Sequence, residues 1–152
     1  MLRHTVATLA YRGGKAVANA PADFAVLRMG AQTRTPAEIL AHIGDLLDWA
    51  LWMARGEHHW HDSAPQPWPQ EVGRFFDALA RLDAYLASNA PLGRGADVLF
   101  QGPIADALTH VGQLTMLRRL GGSPVRGENY AKAEIRPGRV GKEQSGRRVE
   151  FD

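Results

Sequence analysis

Asp106 and His110 carry the clearest potential for metal chemistry in this sequence. They lie four residues apart in the stretch PIADALTHVGQLTMLRRL, whose apolar residues recur at helical spacing. Side chains at positions i and i+4 leave a helix on the same face, so this carboxylate and imidazole form half of a metal site. His42 lies on a second predicted helix, in the apolar stripe of EILAHIGDLLDWALWMARG. A stripe of that kind faces the protein interior, so His42 can supply the third ligand.

Three further side chains are candidates for binding a substrate. Gln113 lies one turn beyond His110 and can present its amide to a ligand beside the metal, although an ordinary polar position on a helix gives the same pattern. Asp45 follows His42 by three residues and can accept a proton near the site, or it can be a solvated carboxylate or one that pairs with another helix. Trp52 is predicted to line a pocket, whereas the other three tryptophans are assigned to the core or to a dimer contact.

The densest group of histidines lies elsewhere, at His58, His59 and His61 in the loop after the second helix. Ligands on a loop lack the rigid spacing that a helix imposes, so this group is predicted to bind metal adventitiously at most. His42 also has an alternative interpretation. It can be a buried imidazole that is bonded to a neighbouring carboxylate such as Asp45 and binds no metal.

Length and composition fit one globular domain without a nucleic-acid surface. The chain has 152 residues and is 45% hydrophobic, enough to bury a core unaided. Its 18 basic and 16 acidic residues include seven and five beyond Gly122, which leaves residues 1–122 neutral at 11 against 11. No run of Lys and Arg alternates with aromatic residues, so nucleic-acid binding is not expected.

The sequence contains no cysteine. It therefore has no disulfide, no zinc-thiolate cluster and no thiol nucleophile of its own, and any sulfur chemistry must arrive with a ligand. The N-terminal stretch MLRHTVATLAYRGGK lacks the unbroken apolar run of a signal peptide, and no other run is long enough for a membrane span. These features predict a cytoplasmic protein that does not enter a membrane.

Apolar periodicity predicts an all-α fold. The second helix has the clearest start, because Thr35, Pro36 and Glu38 are spaced as a capping threonine, a first-turn proline and a reciprocal glutamate. Gly13 and Gly14 weaken the first helix in its middle. The four predicted helices cover about residues 2–19, 35–56, 72–86 and 103–121. Because the loops at 21–34 and 56–67 are long for a simple up-and-down arrangement, we predict a four-helix bundle with at least one crossover connection.

The sequence divides into two parts at Gly122. Residues 1–122 are predicted to form the bundle, and residues 123–152, rich in Gly, Arg and Glu, form an extended C-terminal tail. Val125, Tyr130 and Ile135 are spaced along the first half of the tail, so this half should pack on the bundle. The last ten or so residues are expected to be mobile.

Four segments in order resemble the DinB/YfiT-like superfamily of bacterial four-helix-bundle proteins. They are TLAYRGGKAV, RTPAEILAHIGDLLDWALWMARG, FQGPIADALTHVGQLTMLRRLGG and GENYAKAEI, and they span most of residues 1–135. Members of that superfamily hold a divalent metal, commonly nickel or zinc, with one histidine from the second helix and an H-x3-H pair from the fourth. In the mycothiol-dependent maleylpyruvate isomerase branch, glutamate replaces the first histidine of that pair.

His42 and His110 match this pattern directly, and Asp106 stands where the first member of the pair belongs. The resemblance therefore implies a nickel or zinc site held by His42, His110 and Asp106. Aspartate departs from the family pattern and is one methylene shorter than glutamate. It can bind the metal itself or orient an imidazole without touching the metal.

Three protein ligands leave at least one coordination position open, which is typical of catalytic sites. The resemblance implies a metal-dependent S-transferase or isomerase that uses a low-molecular-weight thiol as cosubstrate and acts on a small molecule. A hydrolase could use the same chemistry. The alternative is a non-catalytic, stress-related metal-binding or structural protein. The resemblance also implies a homodimer.

Overall fold

The computed structural model describes all 152 residues, and the chain is mostly helical, which confirms the predicted all-α class. Short 3-10 turns occupy Phe24–Val26 and Tyr130–Lys132. None of the helices combines the length and the apolar character that crossing a membrane requires. The other elements are α1 (Leu2–Val17), α2 (Pro36–Ala54), α3 (Trp68–Ala87), α4 (Ala96–Leu99), α5 (Ala105–Leu120), β1 (Gly127–Glu128) and β2 (Glu150–Phe151).

Helix α2 begins where the sequence predicts. The backbone N–H of Glu38 donates to Thr35 Oγ1 at 3.2 Å, and the Glu38 carboxylate accepts from the Thr35 N–H at 2.6 Å. This reciprocal capping satisfies two backbone donors that have no partner inside the helix, and Pro36 occupies the first turn, where a missing N–H costs nothing. The cap fixes which residues of α2 face inward, His42 among them.

The four long helices enclose one core. Helices α1 and α2 each pack against both α3 and α5. A single cluster of 25 buried apolar residues fills the space between them, and α2 contributes the largest share, because 14 of its 19 residues are buried. Burial of this much apolar surface is the main force that holds the helices together.

Gly13 allows α1 to pack closely against α3. A Cβ built on Gly13 would lie 2.4 Å from Cζ of Phe75, a core residue of α3 that is 1% exposed. Glycine at this position lets the ring of Phe75 approach the backbone of α1. The cost of glycine to the helix is therefore offset by the contact between α1 and α3.

We expect Gly13→Ala to lower the free energy of unfolding by about 1–3 kcal/mol, because the added methyl group forces the buried Phe75 ring out of place. Gly73→Ala in α3 is the matched control, since no atom lies within 4 Å of the Cβ it would add. That change should raise stability by up to about 1 kcal/mol through helix propensity alone. Urea unfolding of both variants checks the prediction, and a gain in stability for both would contradict it.

The helical path into α5 differs from the prediction. The sequence predicts a helix that opens at Pro103, but the helix begins earlier, at Ala96, and passes through a π-helical segment over Phe100–Ile104 before α5. Gly102 has non-helical backbone angles there (φ −86°, ψ −107°). Proline lacks an N–H and crowds the preceding turn, so Gly102 and Pro103 bend the helix axis just before Asp106.

The tail is fastened to the helices at both of its ends. Strands β1 and β2 pair antiparallel, with Gly127 opposite Phe151. Ile135 packs against the core from the first half of the tail, as expected. The last residues differ from the expectation of mobility, because Glu150 in β2 accepts a 2.7 Å bond from Lys15 of α1.

Candidate metal centre

Helices α2 and α5 bring His42, Asp106 and His110 together. The three side chains each offer one ligand atom, and these atoms all lie within 4.8 Å of one another. His42 Nε2 is 3.9 Å from Asp106 Oδ2, and His110 Nε2 is 3.5 Å from Asp106 Oδ1. Two ligands of a tetrahedral zinc ion lie about 3.3 Å apart when the bonds are about 2.0 Å long. Small side-chain rotations would therefore bring all three atoms onto one ion.

The three candidate ligands differ in their exposure to solvent. The side chains of His42 and His110 are 18% and 12% exposed, whereas that of Asp106 is 49% exposed. The two imidazoles are thus mostly covered by other residues, and the carboxylate is exposed to solvent. Next to them, Ile104 at the end of the π-helical segment and Ala107, Val111 and Leu114 of α5 are buried in the core.

Gln113 orients His110. The side-chain amide oxygen of Gln113 lies 3.0 Å from His110 Nδ1. An amide oxygen is only an acceptor, so Nδ1 carries the proton and Nε2 presents its lone pair to Asp106 and His42. Metal-binding histidines are commonly fixed in this way. Gln113 was predicted to present an amide to a ligand, and its N–H groups remain free for that purpose.

His42 is held neutral. Burial lowers its pKa, and the nearby His110 and Arg34 lower it further, against the opposing effect of Asp106 and Asp45. A neutral imidazole keeps the lone pair that a metal needs. The ring of Trp60 packs edge-on against His42, with centroids 5.7 Å apart, and covers the imidazole from the loop that follows α2.

Asp45 forms no bond to the three candidate ligands and fastens the loop after α2. Its carboxylate is 2% exposed and accepts from the N–H and the hydroxyl of Ser63, at 2.9 and 2.7 Å, and from Arg74 of α3. His61 also lies 3.1 Å from it. Burial alone would raise the pKa of Asp45, but these hydrogen bonds outweigh burial and hold the pKa below its usual range. Asp45 therefore pairs with another helix, through Arg74, as one of its predicted roles requires. It is not the carboxylate partner of His42 that the alternative interpretation of His42 requires.

Trp52 lies outside this group. Its ring packs on His59, with centroids 4.8 Å apart, and under the guanidinium of Arg55. The tryptophan that contacts a candidate ligand, His42, is Trp60. The loop histidines do not converge either, because His58 packs on Trp49, His59 pairs with Glu57 and His61 pairs with Asp45.

Two surface grooves flank the three candidate ligands. The α5 groove has a volume of about 790 Å³ and is lined by Arg34, Ile39, Thr109, His110, Gln113 and Met116 among others. The α2 groove, of about 430 Å³, is lined by Arg34, Glu38, His42, Asp45, Asp62 and Ser63 among others. One imidazole opens into each groove, and Arg34 belongs to both. A small molecule can therefore approach the site from either side.

Searches with the whole chain against family models, curated proteins and solved structures find no match. The candidate metal centre is therefore supported by the convergence of His42, Asp106 and His110.

Sequence reasoning missed Arg34, Trp60 and Ser63 as residues of the site. All three lie in loops, where no periodicity indicates direction. Their places depend on how the two long loops fold back on α2. The position of Arg34 one residue before the capping threonine was the only local signal available.

Substitutions that remove or keep the negative charge of Asp106 test whether it binds the metal. If Asp106 binds the metal, Asp106→Asn should weaken zinc affinity at least about tenfold, comparable to or beyond the loss of an orienting partner. Asp106→Glu should retain more affinity, because the oxygen donor and its charge remain. Calorimetric zinc titration measures both, with Asp77→Asn as a control that removes the same charge from an exposed position of α3. Equal affinities for the Asn variant and the wild type would show that Asp106 is not a ligand.

Proposed function

We propose that this chain is a metal-dependent enzyme of the DinB/YfiT-like type, with nickel or zinc held by His42, Asp106 and His110. The observation that carries the proposal is the convergence of these three donors from two helices beside open grooves. Two imidazoles and one carboxylate make a donor set that suits a divalent transition metal. The free cavity beside the ligands is consistent with an open coordination position.

We propose further that the helices form a four-helix bundle with a crossover connection. The contacts support this arrangement, because α1 and α2 each pack on α3 and α5, which puts α1 and α2 on opposite sides of the core. The chain between them must then cross one end of the molecule. In such a bundle, ligands on facing helices point into a shared site.

The residues around the site have defined tasks in this proposal. Gln113 fixes the tautomer of His110, burial keeps His42 unprotonated, and Trp60 shields His42 from water. A bound divalent ion would supply Lewis acidity, which lowers the pKa of water or of a thiol toward neutrality. Asp106, with a side chain that is 49% exposed, is the most solvent-accessible of the three ligands.

We propose S-transfer or isomerisation with a low-molecular-weight thiol as the reaction. The chain has no cysteine, so the thiol must come as a cosubstrate. The α5 groove is of a size that binds small molecules. Hydrolysis is the second reaction that the same residues could support, since it needs the same donors with water in place of a thiol. A cytoplasmic location fits a thiol-dependent enzyme of this kind.

A non-catalytic homodimer is the second candidate function. Met116 and Leu120 on the outer face of α5 are 61% and 56% exposed, and a partner subunit could cover them. In that case the metal would have a structural or stress-related role. Homodimer formation is compatible with the enzyme as well, so association alone does not separate the two functions.

The experiment begins with elemental analysis of protein purified without a histidine tag and without added metal. We expect close to one equivalent of nickel or zinc per chain. The loaded protein is then mixed with mycothiol or another small thiol and a panel of electrophiles, and thiol consumption is followed. Metal-dependent turnover that is lost in His42→Ala/His110→Ala supports the enzyme. A bound metal without turnover for any thiol or for water would favour the non-catalytic function.

A further inference from the structure

Arg34 is an unpaired cation where the two grooves meet. Its side chain is exposed, forms no salt bridge and donates no side-chain hydrogen bond. Nearby Arg28, in contrast, pairs with Glu38 at 3.3 Å. A guanidinium without a protein partner keeps its N–H donors free, so an unpaired arginine beside a cavity is available to a ligand.

The α5 groove continues from Arg34 along an apolar wall. Ile39 and Leu117 are buried or nearly so, and Met116 on the same wall is 61% exposed. Thr109 and the free amide N–H groups of Gln113, on the same helix as Met116, add polar groups to the groove. The groove thus has one charged end, one apolar wall and a few hydrogen-bonding groups, which is the usual composition of a small-molecule site.

We propose that the site takes a small organic carboxylate with an apolar body. Arg34 binds the carboxylate, the apolar body lies along Met116 and Leu117, and the reacting end meets His42 and His110. This inference rests on the function proposed above and names its substrate class. A guanidinium binds a carboxylate through two parallel N–H···O bonds, which fixes the orientation of the ligand as well as its charge.

The charges around Arg34 favour one negative charge over two. Glu38, Asp62 and Asp106 lie at the grooves or beside them, and Arg34 is the one basic side chain that lines them. In the metal-free protein, a phosphate with a charge near −2 would meet these carboxylates with a single cation to balance it. A monocarboxylate would be matched by Arg34 alone.

The test compares 4-phenylbutyrate with its neutral analogue 4-phenylbutanamide by calorimetric titration. Both probes have the same apolar body, and only the first carries a charge. We expect Arg34→Gln to weaken the affinity for 4-phenylbutyrate about tenfold or more and to leave that for the amide within about twofold. Arg94→Gln, which removes an exposed and unpaired arginine from a loop outside both grooves, should change neither.

Each titration is run on metal-free and on zinc-loaded protein, and zinc affinity is measured separately. The Arg34 effect should appear in both forms, because Arg34 is not a metal ligand. Equal binding of 4-phenylbutyrate by wild type and Arg34→Gln would overturn the carboxylate proposal, as would tighter binding of phosphate than of 4-phenylbutyrate to the metal-free protein. Zinc affinity equal to that of wild type in Arg34→Gln would show that the substitution leaves the proposed metal site unaffected. Failure of wild type to bind zinc would count against the proposed function alone.

Discussion

Replacing His42 and His110 together by alanine is expected to abolish specific metal binding, and each single change should weaken zinc affinity more than about 100-fold. Loss of a residue that merely orients a ligand costs about 10–100-fold, and loss of the ligand itself costs more. Each imidazole supplies one of only three converging donor atoms, so two ligands at most remain after either change. Calorimetric titration of the metal-free protein gives the affinity directly.

His59→Ala is the matched control for these variants. His59 also pairs with a carboxylate, Glu57, at 3.1 Å, but it lies on a loop without a third ligand. Its replacement should leave zinc affinity within about threefold of wild type, because a lone exposed pair adds little to a site elsewhere. An equal loss of zinc affinity in His59→Ala and in His110→Ala would contradict a site on the helices and would indicate that the loop binds the metal.

The largest effect on stability is expected at Lys15. Lys15 Nζ lies 2.9 Å from Glu128 and 2.7 Å from Glu150, and the side chains of Lys15 and Glu128 are 4% and 0% exposed. Lys15→Met leaves the Glu128 carboxylate buried with the Tyr11 hydroxyl as its one remaining side-chain partner. We expect a loss of about 3–5 kcal/mol in the free energy of unfolding. Arg136→Met, at an exposed ion pair with Glu134, should cost at most about 1 kcal/mol.

The loss at Lys15 should depend on pH. Burial alone would raise the pKa of Glu128, but hydrogen bonds from Tyr11 and Lys15 outweigh it and hold the pKa below the ordinary value of 4.5. Stability from the ionised carboxylate is therefore present above pH 4.5 and is lost as the pH falls through the folded-state pKa. The difference between wild type and Lys15→Met should shrink below pH 4.5 in urea unfolding. A difference that stays constant with pH would show that the ion pair is not its source.

The sequence predicted those parts of the site that depend on one helix at a time. Thr35 and Glu38 indicate the start of α2 because capping is a local interaction between near neighbours. Asp106 and His110 face the same way because four residues make about one turn. His42 was predicted to face the interior from its own helix. Because the two helices share one core, this direction brings His42 to Asp106 and His110.

The positions of Trp52 and Trp60 were not predicted from the sequence, because they depend on distance along a helix and on loop geometry. Trp52 shares a helix with His42, but ten residues place it about 15 Å farther along the axis. Trp60 reaches His42 because Asp45 and Glu71 hold the loop at Ser63 and Gln66. These are contacts between distant residues that leave no periodic pattern.

The tail was mispredicted at its end for a similar reason. The last residues are polar and rich in charge, which is typical of mobile termini. Their order comes from Lys15, a basic residue in the last turn of α1 that lies 135 positions before Glu150. No local window contains both partners, so the sequence alone gave no indication that β2 would form.

X-ray absorption spectroscopy of the protein loaded with one equivalent of zinc tests the central claim most directly, because it reports the atoms bound to the metal. We expect two imidazole nitrogens at about 2.0–2.1 Å from the zinc, together with oxygen ligands. One imidazole should disappear in His42→Ala and one in His110→Ala. A spectrum without imidazole scattering, or one that neither variant changes, would contradict a metal centre at His42, Asp106 and His110.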